Sequence, residues 1–152
     1  MKLAFYKGKA GLFDRLIRWW TKSPYSHVEL LFDDGQMIAA RDSTGVTIIQ
    51  VASLDLNEWD VVRFDLSIDR MLAIHVWCIT EIGCKYDWLG LFYSQVLRIP
   101  RSHPRKWFCS EFCVAALQRA ELLRDVVPCT VSPGKLHDLL AAFAPPSMAK
   151  QS

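Results

Sequence analysis

Trp107-Phe108-Cys109-Ser110-Glu111-Phe112-Cys113 is the stretch on which the reading of this chain turns. It closes a basic loop of Arg98, Arg101, His103, Arg105 and Lys106 and opens an apolar helix expected over 108–123. Cys109 stands at or beside the start of that helix. The unpaired backbone amides and the helix dipole favour negative charge there, which stabilises a thiolate. A thiolate is the nucleophilic form of cysteine, so a catalytic cysteine belongs at such a place. A bland role also fits, because free cysteine is commonly buried as a small apolar residue. Cys113, one turn deeper on the same helix, is read as core. Cys78, among Ile74, Val76, Trp77 and Ile79, is read as core too. Cys84 follows a helix-ending glycine and Cys129 follows Pro128, and neither has an evident partner.

The cysteines number five in 152 residues, so they cannot all pair within one chain. No C-x-x-C occurs and no histidine stands at zinc-finger spacing from Cys109 and Cys113, so no structural zinc site is expected. No metal or organic cofactor is implied. With 51% hydrophobic residues the chain is too apolar to be disordered and long enough for a real core. A net charge of +2 makes no general case for nucleic acid. No stretch approaches the roughly 18 apolar residues of a membrane span. Lys2 and Lys7 interrupt the N-terminus before a signal-peptide core forms, so the chain is expected to stay in the cytoplasm as synthesised. The expected organisation is a single domain over 1–143 and a short polar tail over 144–152.

Outward from the cysteine helix, the first half reads as strands and the second as helices. Strands are expected over 2–6, 27–32, 36–41, 45–51 and 59–64, with Asp33-Asp34-Gly35 as a hairpin turn. A helix over 10–21 carries Leu12, Phe13, Leu16, Ile17 and Trp20 on one face and stops before Pro24. Trp19 and Trp20, followed by Lys22, also suit a membrane-contacting edge, though core packing explains Trp20 better. Further helices are expected over 68–82, 86–97 and 108–123, and a last one starts at Ser132-Pro133. Strands followed by helices argue for an α+β fold with a small antiparallel sheet.

A cysteine nucleophile needs a base, usually histidine. His75 and His137 fall within helices and read as surface or packing residues. His103 lies in the basic loop. His27 opens the strand His27-Val28-Glu29-Leu30-Leu31-Phe32, where His27, Glu29 and Leu31 share one face. That histidine and carboxylate mark either a site or the exposed face of an edge strand, and the residues alone weigh these about equally.

Ser26-His27-Val28, then Tyr86-Asp87-Trp88, then Phe108-Cys109-Ser110-Glu111, then Ser132-Pro133 resembles the permuted papain-like branch of the NlpC-type cysteine hydrolase superfamily. Papain-type chains carry cysteine before histidine, whereas this branch is circularly permuted. Here His27 precedes Cys109 by 82 residues (109 − 27), and the resemblance runs from about Tyr6 to Leu139. It implies a papain-like fold with Cys109 as nucleophile and His27 as general base, attacking an amide or ester carbonyl to give a thioester. The Cys109 backbone amide is the natural oxyanion donor.

One position departs from that pattern. The family usually places a polar residue on the next strand to orient the imidazole, and the position near Ala39 offers none. Glu29 or Asp42 are the expected substitutes, with Ser43 and Thr44 weaker. Losing the orienter can cost several orders of magnitude in rate. The leading expectation is a peptidase or amidase, with cell-wall peptides as one substrate class. A lipid-directed thioesterase or acyltransferase, like the related lecithin retinol acyltransferase-like group, is the second. An inactive binding or structural module that keeps the fold is the third. Tyr25, His103 and Arg105 are candidate contacts for a peptide or lipid-like substrate, although a basic loop is more commonly just solvated. A bacterial or bacteriophage source, with action in a virion or at the cell envelope, is what the resemblance suggests.

Overall fold

A computed structural model of the chain describes residues 1–8 and 11–143, with only the backbone of Phe13 and Phe143. The expected tail 144–152, and Ala10 at the start of the first expected helix, lie outside the described residues. In chain order the elements are β1 (Lys2–Tyr6), α1 (Leu12–Thr21), β2 (His27–Leu31), β3 (Gln36–Arg41), β4 (Gly45–Gln50), β5 (Trp59–Arg63), α2 (Ile68–Thr80), β6 (Lys85–Tyr86), α3 (Trp88–Leu91), β7 (Lys106–Trp107), α4 (Cys109–Arg119) and α5 (Pro133–Phe143). The fold is α+β. Five strands form an antiparallel sheet in the order β4-β3-β2-β1-β5, and β6 pairs with β7 in a small parallel ribbon.

The sheet is hydrophobic on one face because its strands alternate. Leu3 and Phe5, Val28 and Leu30, Ile38 and Ala40 all belong to one buried core with Phe112, Cys113, Ala116 and Leu117 of α4. α4 is buried along nearly its whole length and packs over β2 and β3. This explains the apolar run that follows Cys109 in the sequence. The other sheet face carries a smaller cluster, Ala4, Leu31 and Met37, and beyond it polar side chains. Its rows follow from the register. Tyr6 pairs with both His27 and Trp59, and Ala4 pairs with Glu29. The β2–β3 pairs Leu30–Ile38 and Leu31–Met37, continued, set Glu29 opposite Ala39 and His27 opposite Arg41.

The hairpin turns are those the sequence announces. Gly35 takes φ +83° after Asp34, whose Oδ1 accepts from Gln36 N at 3.0 Å. Gly45 takes φ +74° between β3 and β4, and a Cβ there would land on the carbonyl of Cys84. That close approach lets Val46 N donate to Cys84 O at 2.8 Å, locking β4 to the connection after α2.

Two expectations change. The region expected as one helix over 86–97 divides into β6, the short α3 and a π-helical turn, Phe92–Val96. Tyr86 pairs with Trp107 as strand, and Asp87 then caps α3 by accepting from Gly90 N at 2.9 Å. The cysteine helix ends at Arg119, where Glu121 and Leu123 take left-handed backbone and stop it short of residue 123. Among the described residues no helix is long and apolar enough to cross a membrane.

Candidate active site

β2 is an interior strand, hydrogen-bonded to β1 and β3, so the exposed-edge reading of His27 and Glu29 does not hold. Glu29 is only 4% exposed. Its carboxylate has three supports. His27 Nε2 lies 3.0 Å from Oε1, Arg41 Nε donates to Oε1 at 3.1 Å, and Arg41 Nη2 pairs with Oε2. Arg41 is itself fixed, since Nη1 donates to Thr47 Oγ1 at 2.6 Å and to Thr47 O at 3.1 Å. The flanking residues on both neighbouring strands are alanines, Ala4 and Ala39, each fully buried. Side chains directly opposite on one sheet face approach to about 5 Å. Two methyl neighbours therefore leave room for a carboxylate and a guanidinium in the plane above them. Ala39, where an orienting residue was expected, is the small neighbour that a Glu29 on the adjacent strand requires.

Cys109 is the first residue of α4, after Phe108 in extended backbone with no side-chain cap. It is 2% exposed, and its side chain lies near enough to His27 to raise the imidazole pKa. With Nε2 engaged by Glu29, the ring nitrogen left to face Cys109 is Nδ1. The imidazole thus stands between cysteine and carboxylate. Burial disfavours the His27 imidazolium, but negative charge on Cys109 and Glu29 and their hydrogen bonds outweigh it, and the pKa rises to about 10. Burial likewise pushes the Glu29 carboxyl up, yet His27 and Arg41 more than reverse this and hold it below its ordinary value. The arrangement favours an imidazolium at His27 with the Glu29 carboxylate behind it.

A cleft of about 580 Å³ opens beside this chain. The row Trp59, Tyr6, His27 and Arg41 of the sheet lines one wall and Leu12, Asp14 and Ile17 of α1 another, with Asp42, Ser43 and Tyr86 at the rim. Cys109 itself does not line it. His27 and Tyr86, the side chains that interact with Cys109, line it instead. Burial, with the Cys109 charge beside it, raises the Tyr86 pKa well above the ordinary value.

The remaining sequence candidates lie elsewhere. Asp42 is exposed at the cleft rim and has no hydrogen bond to His27. Tyr25 is buried, donates to Asp60 Oδ2 at 2.7 Å and stacks at 4.6 Å on His137, outside the cleft lining. His103 is exposed, with Nδ1 2.7 Å from Pro104 O, and Arg105 approaches Cys84. Neither lines the cleft. Cys78, Cys84, Cys113 and Cys129 are all buried, and burial raises each thiol, Cys78 to about 12. Arg41 and Tyr86 were given no role by sequence reasoning. Arg41 was findable, because it sits two residues beyond Ala39 and so on the same strand face.

Glu111 is a buried acid beside the site. It is 1% exposed, and neither carboxyl oxygen has a hydrogen-bond partner of good geometry. Burial raises its pKa to about 7, opposed by looser approaches of Ser102 and the Phe108 backbone. It stands three residues after the helix cap, where a side chain reaches back to the cap amide. Compared with protein-family models and with curated protein sequences, the chain matches none.

Proposed function

We propose that this protein is a cysteine hydrolase of amide bonds, with Cys109 as nucleophile, His27 as acid and base, and Glu29 as the residue that orients the imidazole. The observation that carries the reading is His27 placed beside Cys109 and held by Glu29, Oε1 to Nε2 3.0 Å. Cysteine proteases built this way attack through the thiolate. Sγ bonds to the carbonyl carbon, the C–N bond breaks, and His27 gives its proton to the leaving amine. Water then attacks the thioester, His27 takes its proton, and the thiolate leaves with the carboxylic acid released. The order of a histidine strand before a cysteine helix supports placing the chain in the permuted papain-like group. A lipid ester or thioester is the second reading, favoured by the apolar Leu12 and Ile17 in the cleft wall.

The test is mass spectrometry of the acyl-enzyme formed with activated peptide and with acyl esters. An adduct on Cys109 that disappears in Cys109→Ser and slows strongly in His27→Ala is expected. No faster iodoacetamide labelling of Cys109 than of Cys84 or Cys129, together with no adduct, would support the non-catalytic module instead. Preference for acyl esters over peptides would select the second reading.

A further inference from the structure

Two segments adjoin the cleft, α1 through Leu12 and Ile17 and the stretch after β6 through Tyr86, and both carry exposed apolar side chains. On α1, Leu12 is 82% exposed, Leu16 55% and Trp19 71%. In the stretch after Tyr86, Leu89, Phe92 and Ile99 are all more than half exposed. The two segments are joined, since Trp20 Nε1 donates to Gln95 O at 2.7 Å. Leu12 also lines the cleft with His27, and the Tyr86 ring lies 4.9 Å from Trp88. Large side chains of this kind are normally scattered singly on a surface, and a contiguous patch marks an interaction site.

Charge identifies the partner. Residues 11–24 and 85–106 carry eight Lys and Arg but only Asp14 and Asp87 as acids, and Asp87 is buried. The rest of the chain holds ten cations and fourteen acids. The small net charge therefore conceals an excess of cations in these two segments of an otherwise acidic chain. Arg15, Lys22, Arg98 and Arg101 are exposed within the apolar residues and form no ion pair among the described residues. Exposed Trp and Leu interleaved with Arg and Lys match the headgroup boundary of an anionic bilayer. A second copy docked face to face would set two basic patches against each other.

We propose that this face docks the protein on an anionic lipid bilayer, with the mouth of the cleft turned to the membrane. Docking needs neither Cys109 nor the hydrolase reading. Cosedimentation with phosphatidylcholine vesicles, with and without phosphatidylglycerol, tests it. Binding to the phosphatidylglycerol vesicles alone is expected, released by about 0.5 M salt. Arg15, Lys22, Arg98 and Arg101 changed together to Gln should weaken it by two to three orders of magnitude, at about fivefold or slightly less per charge. Leu16→Ser with Trp19→Ser should weaken it comparably, while the Cys109 alkylation rate and Tm stay near wild type. In unmutated protein, brominated acyl chains should quench the tryptophan fluorescence that Trp19→Phe removes. No preference for anionic vesicles, no quenching, or variants that bind like wild type would overturn the proposal. So would tighter binding to single-stranded DNA than to vesicles, or a dimer that hides Trp19.

Discussion

Glu29 Oε1 lies 3.0 Å from His27 Nε2, two residues earlier on the same strand. On the proposed reading, the residue that orients the imidazole stands on the histidine's own strand rather than on the neighbouring one, where Ala39 lies. Glu29→Gln should reduce turnover by about 10²–10⁴, in the range seen when an orienting carboxylate is lost. Asp42→Ala, at the exposed rim, should change it less than about threefold. Parallel kcat/KM measurements decide between the two candidates, and the opposite ranking would remove Glu29 from the site.

Arg41 holds Glu29 from the next strand. Arg41→Gln leaves a buried carboxylate facing only His27. Breaking a buried pair on one side costs about 3 kcal/mol, or roughly 10 °C in Tm for a chain of this size. Calorimetry of the variant checks this. The double change Glu29→Leu with Arg41→Met should recover much of the lost stability but none of the activity.

His27 carries a pH signature. Its folded pKa is raised to about 10, above the ordinary 6.5, so the folded state holds the proton more tightly. The stability this contributes is complete below about pH 6.5 and disappears as pH rises through about 10. Urea unfolding of wild type and His27→Gln at both ends should show a wild-type advantage that shrinks with rising pH. A constant difference across that window would mean that the imidazolium is not the stabilised form.

Tyr86 interacts with Cys109 and lines the cleft, which Cys109 does not. In Tyr86→Ala the thiol should open to the cleft, and a bulky maleimide should label Cys109 at least about tenfold faster. Small iodoacetamide should gain less. Peptide mapping after timed labelling separates Cys109 from the other four cysteines. Equal gains for both reagents would mean that access is not what Tyr86 controls.

Glu111 should make the protein more stable in mild acid. Its folded pKa of about 7 exceeds the ordinary 4.5, so its contribution is full below about pH 4.5 and lost as pH rises through 7. The isosteric Glu111→Gln removes that loss. It should raise stability relative to wild type at pH 8 by up to about 3 kcal/mol, and much less at pH 5. Denaturant midpoints at the two pH values measure the effect.

The strands were legible because side chains alternate over short runs bounded by Asp33-Asp34-Gly35 and Gly45. β3 matches the expected 36–41 at both ends. The region after Gly83 was not legible. Tyr86-Asp87-Trp88 has helix-compatible residues, but pairing of Tyr86 with Trp107, a partner 21 residues away, overrides local preference. That Cys109 starts a helix and His27 a strand was legible. Which of Glu29 and Asp42 meets the imidazole was not, because it depends on Ala4 and Ala39 making space from two other strands. The exposure of Trp20 was misjudged for a related reason. It lies on the apolar side of α1, but that side turns to the rim rather than to the core, and the residue is 42% exposed.

Placing base and orienter two residues apart on an interior strand also changes how the site comes into being. Their separation is set by the pleat of one strand, not by the meeting of distant segments. The β1–β2–β3 unit, complete by residue 41, sets His27, Glu29 and Arg41 on one sheet face, and Thr47 of β4 fixes the Arg41 guanidinium six residues later. Bringing Cys109 to His27 closes 82 residues of chain. On the proposed reading, the charged half of the site is local in the chain, and the nucleophile joins it only with the packing of α4.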